Sequence, residues 1–421
     1  MKSFGRIAIA LAMMSVVAGC NDDDNKVTTP ESIELTRNEQ DLMNGNNDFA
    51  FNLFRQAHNE TDNLLLSPLS ITFALGMLNN GAAGETQIQI NKVLGFGNTG
   101  ADGINAFCRK VLKAAPLLDP STKVKIANTI YMNSGYKLCP EFVKKAKTFY
   151  DAEPETRNFH DGKTLDVINR WASKHTDKMI PQILDADSFD PDCKSYLLNA
   201  VYFKGQWKNP FEKEETTEQA FYKAGQQGEK LYLPMMHQME TFAYSETEDC
   251  QALRMPFGNG SYAMTVLLRK QSEEQVTNIL PEVPTTETWN LLNASMSHTR
   301  VDVLLPRFET GTDINLRPIM QALGMPNAFD ETKAEFPDFC TTPSFIHLMK
   351  QVSKIKLDEE GAEAAAVTVI GMKDSAPGPD LNYVSFHANR PFLYIISEQQ
   401  SGAIFFIGQY TGSTTEYTDI P

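Results

Sequence analysis

Gly95-Phe96-Gly97-Asn98-Thr99-Gly100 has the glycine spacing of a dinucleotide-binding turn. In such a turn a strand leads in and a helix N-terminus receives the pyrophosphate. Here a helical pattern precedes the glycines and no helix is expected to open after them, so the stretch reads as a loop. Gly162-Lys163-Thr164 has the ending of a phosphate-binding loop, but Arg157 stands where its first glycine would be. No HExxH and no GxSxG pattern occurs. His58, His160, His175, His237, His298, His347 and His387 are scattered without metal-ligand spacing. Arg109, Lys110 and Lys113 cluster as a polyanion site would require, yet the whole chain carries a net charge of -15. Cys108, Cys139, Cys193, Cys250 and Cys340 are far apart, form no CxxC and are odd in number. They read as small buried apolar residues rather than a disulfide framework or a zinc site.

With no nucleophile-base set to organise the chain, the most informative stretch is Asp358 to Ser375, DEEGAEAAAVTVIGMKDS. Read as a strand, its side chains alternate between faces. Ala362, Ala364, Ala366, Thr368 and Ile370 share one face; Gly361, Glu363, Ala365, Val367 and Val369 share the other. The first face is small, uncharged and free of proline, so it fits inside a packed sheet without stranding a charge. Yet Gly361 and Pro377-Gly378-Pro379 bracket the stretch as they would an exposed loop. A small-residue surface helix or an edge strand is the plainer reading. The functional one is a bait loop, since an extended exposed peptide fits a protease cleft.

The elements that must position this stretch follow from pattern. The chain has 421 residues, 42% hydrophobic and 22% charged, an ordinary globular composition. The acidic balance excludes a nucleic-acid partner, which needs a basic face. Lys2 and Arg6 precede an apolar run, Ile7 to Val17, too short to span a bilayer. It ends Val17-Ala18-Gly19-Cys20, which resembles the lipobox of bacterial lipoproteins, with residues 1–19 as signal peptide and Cys20 as the acylated N-terminus. Several acyl chains on one residue anchor firmly where one does not. The acidic run Asn21 to Asp24 resembles the surface-export signal of some bacterial lipoproteins, so an outer-membrane or cell-surface location is expected. Residues 20–45 are polar and read as a flexible tether.

A helix is expected from about Asn47-Asp48, where Phe49, Leu53 and Ala57 make a stripe. Leu64 to Leu66 read as a short buried strand. Ser67 is expected to cap, and Pro68 to begin, a helix carrying Ile71, Leu75 and Leu78. Alternation from Val124 to Met132 predicts a strand, Pro140 to Tyr150 a helix, and Asp166 to Met179 a second helix. Leu197 to Trp207 is too long and apolar for an edge strand. Further strands are expected at 262–269, 301–305, 392–396 and 403–407, and a helix at 316–323. No composition break follows residue 45, so the remainder reads as one large mixed domain.

These segments together are similar to the serpins. The resemblance covers residues 46–416 and rests on NLLLSPLSITFALGML (63–78), LNAVYFKGQWKNPF (198–211), LPRF (305–308), DEEGAEAAA (358–366), NRPF (389–392) and FFIGQY (405–410), in order and at family spacing. It implies an α+β fold of three β-sheets and about nine helices, with an exposed reactive-centre loop at about 359–388 and a C-terminal tail at 417–421. It implies a monomeric inhibitor of extracellular serine proteases, and of some cysteine proteases, with no catalytic residue, metal or cofactor of its own. The cleaved loop enters the main sheet as a new strand and traps the acyl-enzyme. A non-inhibitory member acting as a binding or structural protein is the alternative. Such relatives commonly carry charge, proline or bulk at the inward-facing hinge positions, and this chain does not.

Carried over position by position, Glu359 is the hinge glutamate, Gly361 the hinge glycine, and Ala362, Ala364 and Ala366 the inward hinge residues. Ser67, Ser70 and Asn199 fall on the shutter beneath the sheet and Trp207 at the breach where insertion begins. The family often has a shutter histidine where this chain has Gln351; glutamine both donates and accepts hydrogen bonds, so the network can persist. The scissile bond usually follows the residue sixteen places beyond the hinge glutamate, which gives Ser375-Ala376. Lys373 would suit trypsin-like enzymes, with Asp374 a poor neighbour for that cleavage, and Met372 chymotrypsin- or elastase-like ones.

Overall fold

The structure, a computed structural model, describes residues 30–225, 229–271, 279–362, 382–413 and 417–418. Its central feature is the sheet that holds the hinge. In order across the sheet run Tyr417–Thr418, Phe308–Asn315, Leu348–Asp358, Gly361–Ala362, Ser195–Gln206, Thr122–Asn133 and Glu155–Arg157. Ser195–Gln206 is apolar on both faces because both are covered. Leu197, Val201 and Phe203 enter the main core, while Tyr196, Leu198 and Ala200 meet Ile168, Trp171 and Ala172 of the outer helix Thr164–His175. Strands buried on two faces lose the polar alternation of a half-exposed strand.

Behind it lies a second layer in which two smaller sheets are joined. Leu64–Leu66, Ile404–Tyr410, Phe392–Glu398, Tyr262–Arg269 and Cys250–Phe257 pair in sequence as one of them. The seventeen-residue strand Lys230–Glu246 pairs with Cys250–Phe257 near its end. Over its earlier part it pairs with Thr217–Tyr222 and Ser297–Pro306, and the latter pairs with Val384–His387. This third sheet anchors the chain that follows the loop. Eight α-helices stand among the described residues.

Several local expectations are corrected. The first helix spans Arg37–Ala57 and starts ten residues before Asn47. Thr36 and Glu39 form a reciprocal capping box: Glu39 Oε2 accepts from the Thr36 amide at 2.8 Å and Thr36 Oγ1 from the Glu39 amide at 3.4 Å. Polar residues concealed this turn: Asn46 and Asn47 are buried and donate to Thr72 Oγ1 at 2.6 Å and to the Gly402 carbonyl at 2.9 Å. Residues 30–45, expected as tether, are therefore docked, and Ile33 is 1% exposed. The helix expected at 166–179 is Thr164–His175, stopped by Asp177 and Lys178 at positive φ. Gly100 does open a helix, Ala101–Ala114, but a helix rather than a strand leads into the glycines, so the dinucleotide reading still lacks its strand. Of the expected tail, Tyr417–Thr418 pair in parallel with Thr312–Asp313.

Candidate functional site

The site is a seam between two strands that point the same way. Leu348 to Lys354 pair in parallel with Tyr196 to Tyr202, seven consecutive partners. Above Lys354 the two strands diverge, and the chain turns back at Glu359-Glu360 to place Gly361–Ala362 between them. Ala362 faces Leu357 on one side and Gly205 on the other, and both pairings are antiparallel. A loop strand has thus already started into the sheet, and from Lys354 and Tyr202 downward the two strands are closed by direct parallel pairing.

Gly361 makes this entry possible. Its φ is +139°, and a Cβ there would lie 2.1 Å from the Gly205 carbonyl oxygen. A side chain is excluded both by backbone conformation and by contact. Ala362 beside it is fully buried. The turn is held from beneath by Trp207. Its amide donates to the Glu360 carbonyl at 2.8 Å and its indole Nε1 to the Asp358 carbonyl at 3.1 Å. The indole stacks on Phe257, centroids 4.5 Å apart and planes 7° from parallel. The Phe211 amide donates to the Glu359 carbonyl at 2.9 Å.

Glu359 is 2% exposed. Arg307 Nη2 donates to its Oε1 at 2.5 Å and Thr216 Oγ1 donates to the same oxygen at 2.7 Å. Burial by itself would raise the pKa; the hydrogen bonds from Arg307 and Thr216 outweigh it and hold the carboxyl below its ordinary value near 4.5. Glu360 is partly buried and pairs with Lys213 at 2.7 Å. The hinge is pinned at both of its carboxylates.

Halfway down the seam lies a buried polar row. Asn128, Asn199 and Gln351 are cross-strand neighbours on three adjacent strands. Gln351 Nε2 donates to Asn199 Oδ1 at 2.6 Å and to the Ser67 carbonyl at 3.2 Å, and its Oε1 accepts from the Ser67 amide at 3.0 Å. Asn199 Nδ2 donates to Asn128 Oδ1 at 2.6 Å and to Ser70 Oγ. Ser353 Oγ donates to the Leu65 carbonyl at 2.6 Å, and Thr312 Oγ1 accepts from the Leu65 amide at 2.7 Å. The sheet is thereby tied to the segment Leu65–Ser70 at its midpoint. Ser67 begins the helix Pro68–Asn79, but its hydroxyl makes no capping bond; its backbone serves Gln351 instead.

The structure brings Glu359, Gly361, Ala362 and Trp207 together at the head of the seam, and Ser67, Ser70, Asn199 and Gln351 at its middle. Ala364, Ala366, Met372, Lys373, Asp374, Ser375, Ala376 and Cys20 lie outside the described residues. The basic cluster is used locally: Lys110 pairs with Glu39 and Lys113 with Asp151, each at 2.6 Å, and Arg109 lies over the Phe149 ring. Sequence reasoning gave no role to Arg307, Thr216, Phe257 or Asn128. Asn128 carried a usable signal, a polar residue on the apolar face of an alternating strand. The other three were invisible because they come from distant segments.

Comparison with known proteins agrees with this arrangement. The family model described as Serpin (serine protease inhibitor) matches residues 44–412. Glia-derived nexin of Homo sapiens is 30% identical over 359 residues, covering 83% of this chain and 87% of that one. The leukocyte elastase inhibitor of Homo sapiens is 30% identical over 384 residues, covering 88% and 99%. Among solved structures, the native state of the thermophilic serpin tengpin superposes with a TM-score of 0.80 at 26% identity, covering 92% of this chain and 98% of that one. Thyroxine-binding globulin in complex with thyroxine superposes at 0.77 with 23% identity, covering 89% and 100%, a likeness of fold alone. Matched along most of its length and built around a parallel seam with a started loop strand, this chain belongs to the serpin family.

Proposed function

We propose that the protein is an irreversible suicide-substrate inhibitor of extracellular serine proteases, working by loop cleavage and insertion into the main sheet. The observation that carries this reading is Gly361–Ala362 standing between two strands that are otherwise paired directly and in parallel. Inserting an antiparallel strand there would replace the parallel pairing of the two seam strands by antiparallel pairing on both sides and bury apolar loop side chains, both favourable. Before cleavage the loop is held at both ends, at the hinge and at Val384–His387, which limits how far it can enter. Cutting it frees the hinge half to run down the seam, with the protease still esterified through its own serine. The inward-facing hinge positions Ala362, Ala364 and Ala366 supply no charge, proline or bulk to oppose this, which favours inhibition over a purely binding role. Cys20 would hold the protein to the membrane through its acyl chains.

Incubation with trypsin-, chymotrypsin-, elastase- and subtilisin-like proteases tests the reading. A covalent complex that survives denaturing electrophoresis is expected with at least one. Turnover of the loop by every enzyme without complex would replace it with the non-inhibitory reading. The N-terminus of the released fragment identifies the bond used among Met372, Lys373 and Ser375.

A further inference from the structure

The N-terminal segment reaches the body at a definite place. Ile33 is buried in the core, and the Glu31 amide donates to Ser261 Oγ at 3.0 Å. Ser261 belongs to the turn 258–261; a Cβ placed on Gly260 of that turn would lie 3.7 Å from Pro30 and 4.0 Å from Lys208 Nζ. The same turn is bonded to the head of the seam. The Gly258 amide donates to the Gln206 carbonyl at 2.8 Å, and the Lys208 amide to the Pro256 carbonyl at 2.9 Å. Gln206 is the pairing partner of Gly361. Pro30 is therefore fixed beside the hinge, at the end of the sheet from which the loop departs.

Ten residue steps separate Pro30 from Cys20. At ~3.3–3.6 Å per step, the chain between them reaches at most about 36 Å. A globular body of this chain's size has a radius of gyration of roughly 21 Å, so it is wider than that reach, and so is a trypsin-sized protease of about 40 Å. We infer that the anchored protein is held with its loop-bearing end toward the bilayer, so that it presents the loop to proteases working laterally along the membrane surface and excludes bulky ones. The inference rests on the acylation of Cys20 proposed above. It identifies the lipid surface as a steric partner of the reactive loop.

The test uses the full acylated chain in vesicles of phosphatidylethanolamine and phosphatidylglycerol, with lipid on Cys20 verified by mass spectrometry. A fluorophore is introduced either at Lys208, exposed beside the seam head, or at Asp192, exposed just before the strand Ser195–Gln206 begins and so at the opposite end of the sheet. Energy transfer to a headgroup acceptor is expected to be at least twofold stronger from position 208. Equal or reversed transfer overturns the orientation. A 30-residue Gly/Ser insertion between positions 25 and 26 is expected to abolish the difference and to raise the rate of complex formation with a particle-coupled protease severalfold. A rate and a transfer ratio that ignore the insertion would also overturn it. Loss of lipid at Cys20 would instead remove the lipoprotein reading, and the mass spectrum reports that separately.

Discussion

Gln351 and Asn199 face each other at the midpoint of the parallel seam, and the Gln351 amide donates to Asn199 Oδ1 at 2.6 Å. The bond ties together the two strands that must part for a third to enter. Gln351 also satisfies both backbone groups of Ser67. Gln351→Ala should leave buried donors and acceptors unpaired and cost about 2–4 kcal/mol of native stability, read from urea unfolding. Because an amide does not titrate, this lock should be insensitive to pH between 5 and 8. Gln351→His should make the unfolding midpoint pH-dependent in that window. A flat profile for the histidine variant would show that the position does not control the seam.

The register also says where each loop residue should arrive. Continuing the pairing of Ala362 with Leu357 and Gly205 places Ala364 between Ile355 and Phe203, Ala366 between Ser353 and Val201, and Thr368 between Gln351 and Asn199. The polar residue on the inward loop face thus meets the polar row. Thr368→Val should leave native stability unchanged and lower that of the loop-cleaved form by about 1–3 kcal/mol, since the separated amides would lack a partner. Equal loss in both forms, measured by thermal unfolding before and after cleavage, would contradict the register.

Ala364→Arg should convert inhibition to substrate behaviour, because a buried guanidinium between Ile355 and Phe203 has no counter-charge. Complex yield should fall at least tenfold while the rate of loop cleavage is kept. Ala362→Arg should behave differently. Its site is already occupied and fully buried in the uncleaved protein. That variant should lose native stability by several kcal/mol, the range for an unpaired buried charge, and be detected first as poor folding.

Gly361→Ala should expel the hinge from the sheet, since the new methyl would meet the Gly205 carbonyl at 2.1 Å in a backbone conformation of φ +139°. Limited proteolysis at residues 359–362 should increase in the variant, where the wild-type turn is protected.

The acid response follows from Glu359. Its folded pKa lies below its ordinary value near 4.5, so the Arg307 and Thr216 contacts stabilise the native state fully above that value. The contribution is lost as pH falls through the depressed folded pKa. Asp302, held by His387 at 3.0 Å and His237 at 2.8 Å, is likewise lowered from its ordinary 3.8 and adds in the same sense. Glu359→Gln should flatten the loss of stability below pH 4.5 and, with Arg307 being 44% exposed, cost only about 1–2 kcal/mol at pH 7. An unchanged acid limb would exclude this ion pair from the response.

By itself the sequence determined the local currency of the fold. Gly361 marked a break, the run Leu197 to Trp207 a strand buried on both faces, and the small, uncharged alternation from Ala362 onward a stretch compatible with a packed sheet. Periodicity and residue size report such things directly, because they depend on neighbours a few positions apart. The start of the first helix was hidden because its buried face uses Asn46 and Asn47, whose partners Thr72 and Gly402 are far away in the chain. Only the tertiary structure decided that Arg307 and Thr216 grip Glu359, that Trp207 supports the turn from beneath, and that Gln351 stands where Asn199 can take its proton-bearing nitrogen at 2.6 Å. Each of these depends on strands brought together from segments more than fifty residues apart, and hydrogen-bond geometry at that separation is set by the register of the sheet, which no local pattern encodes.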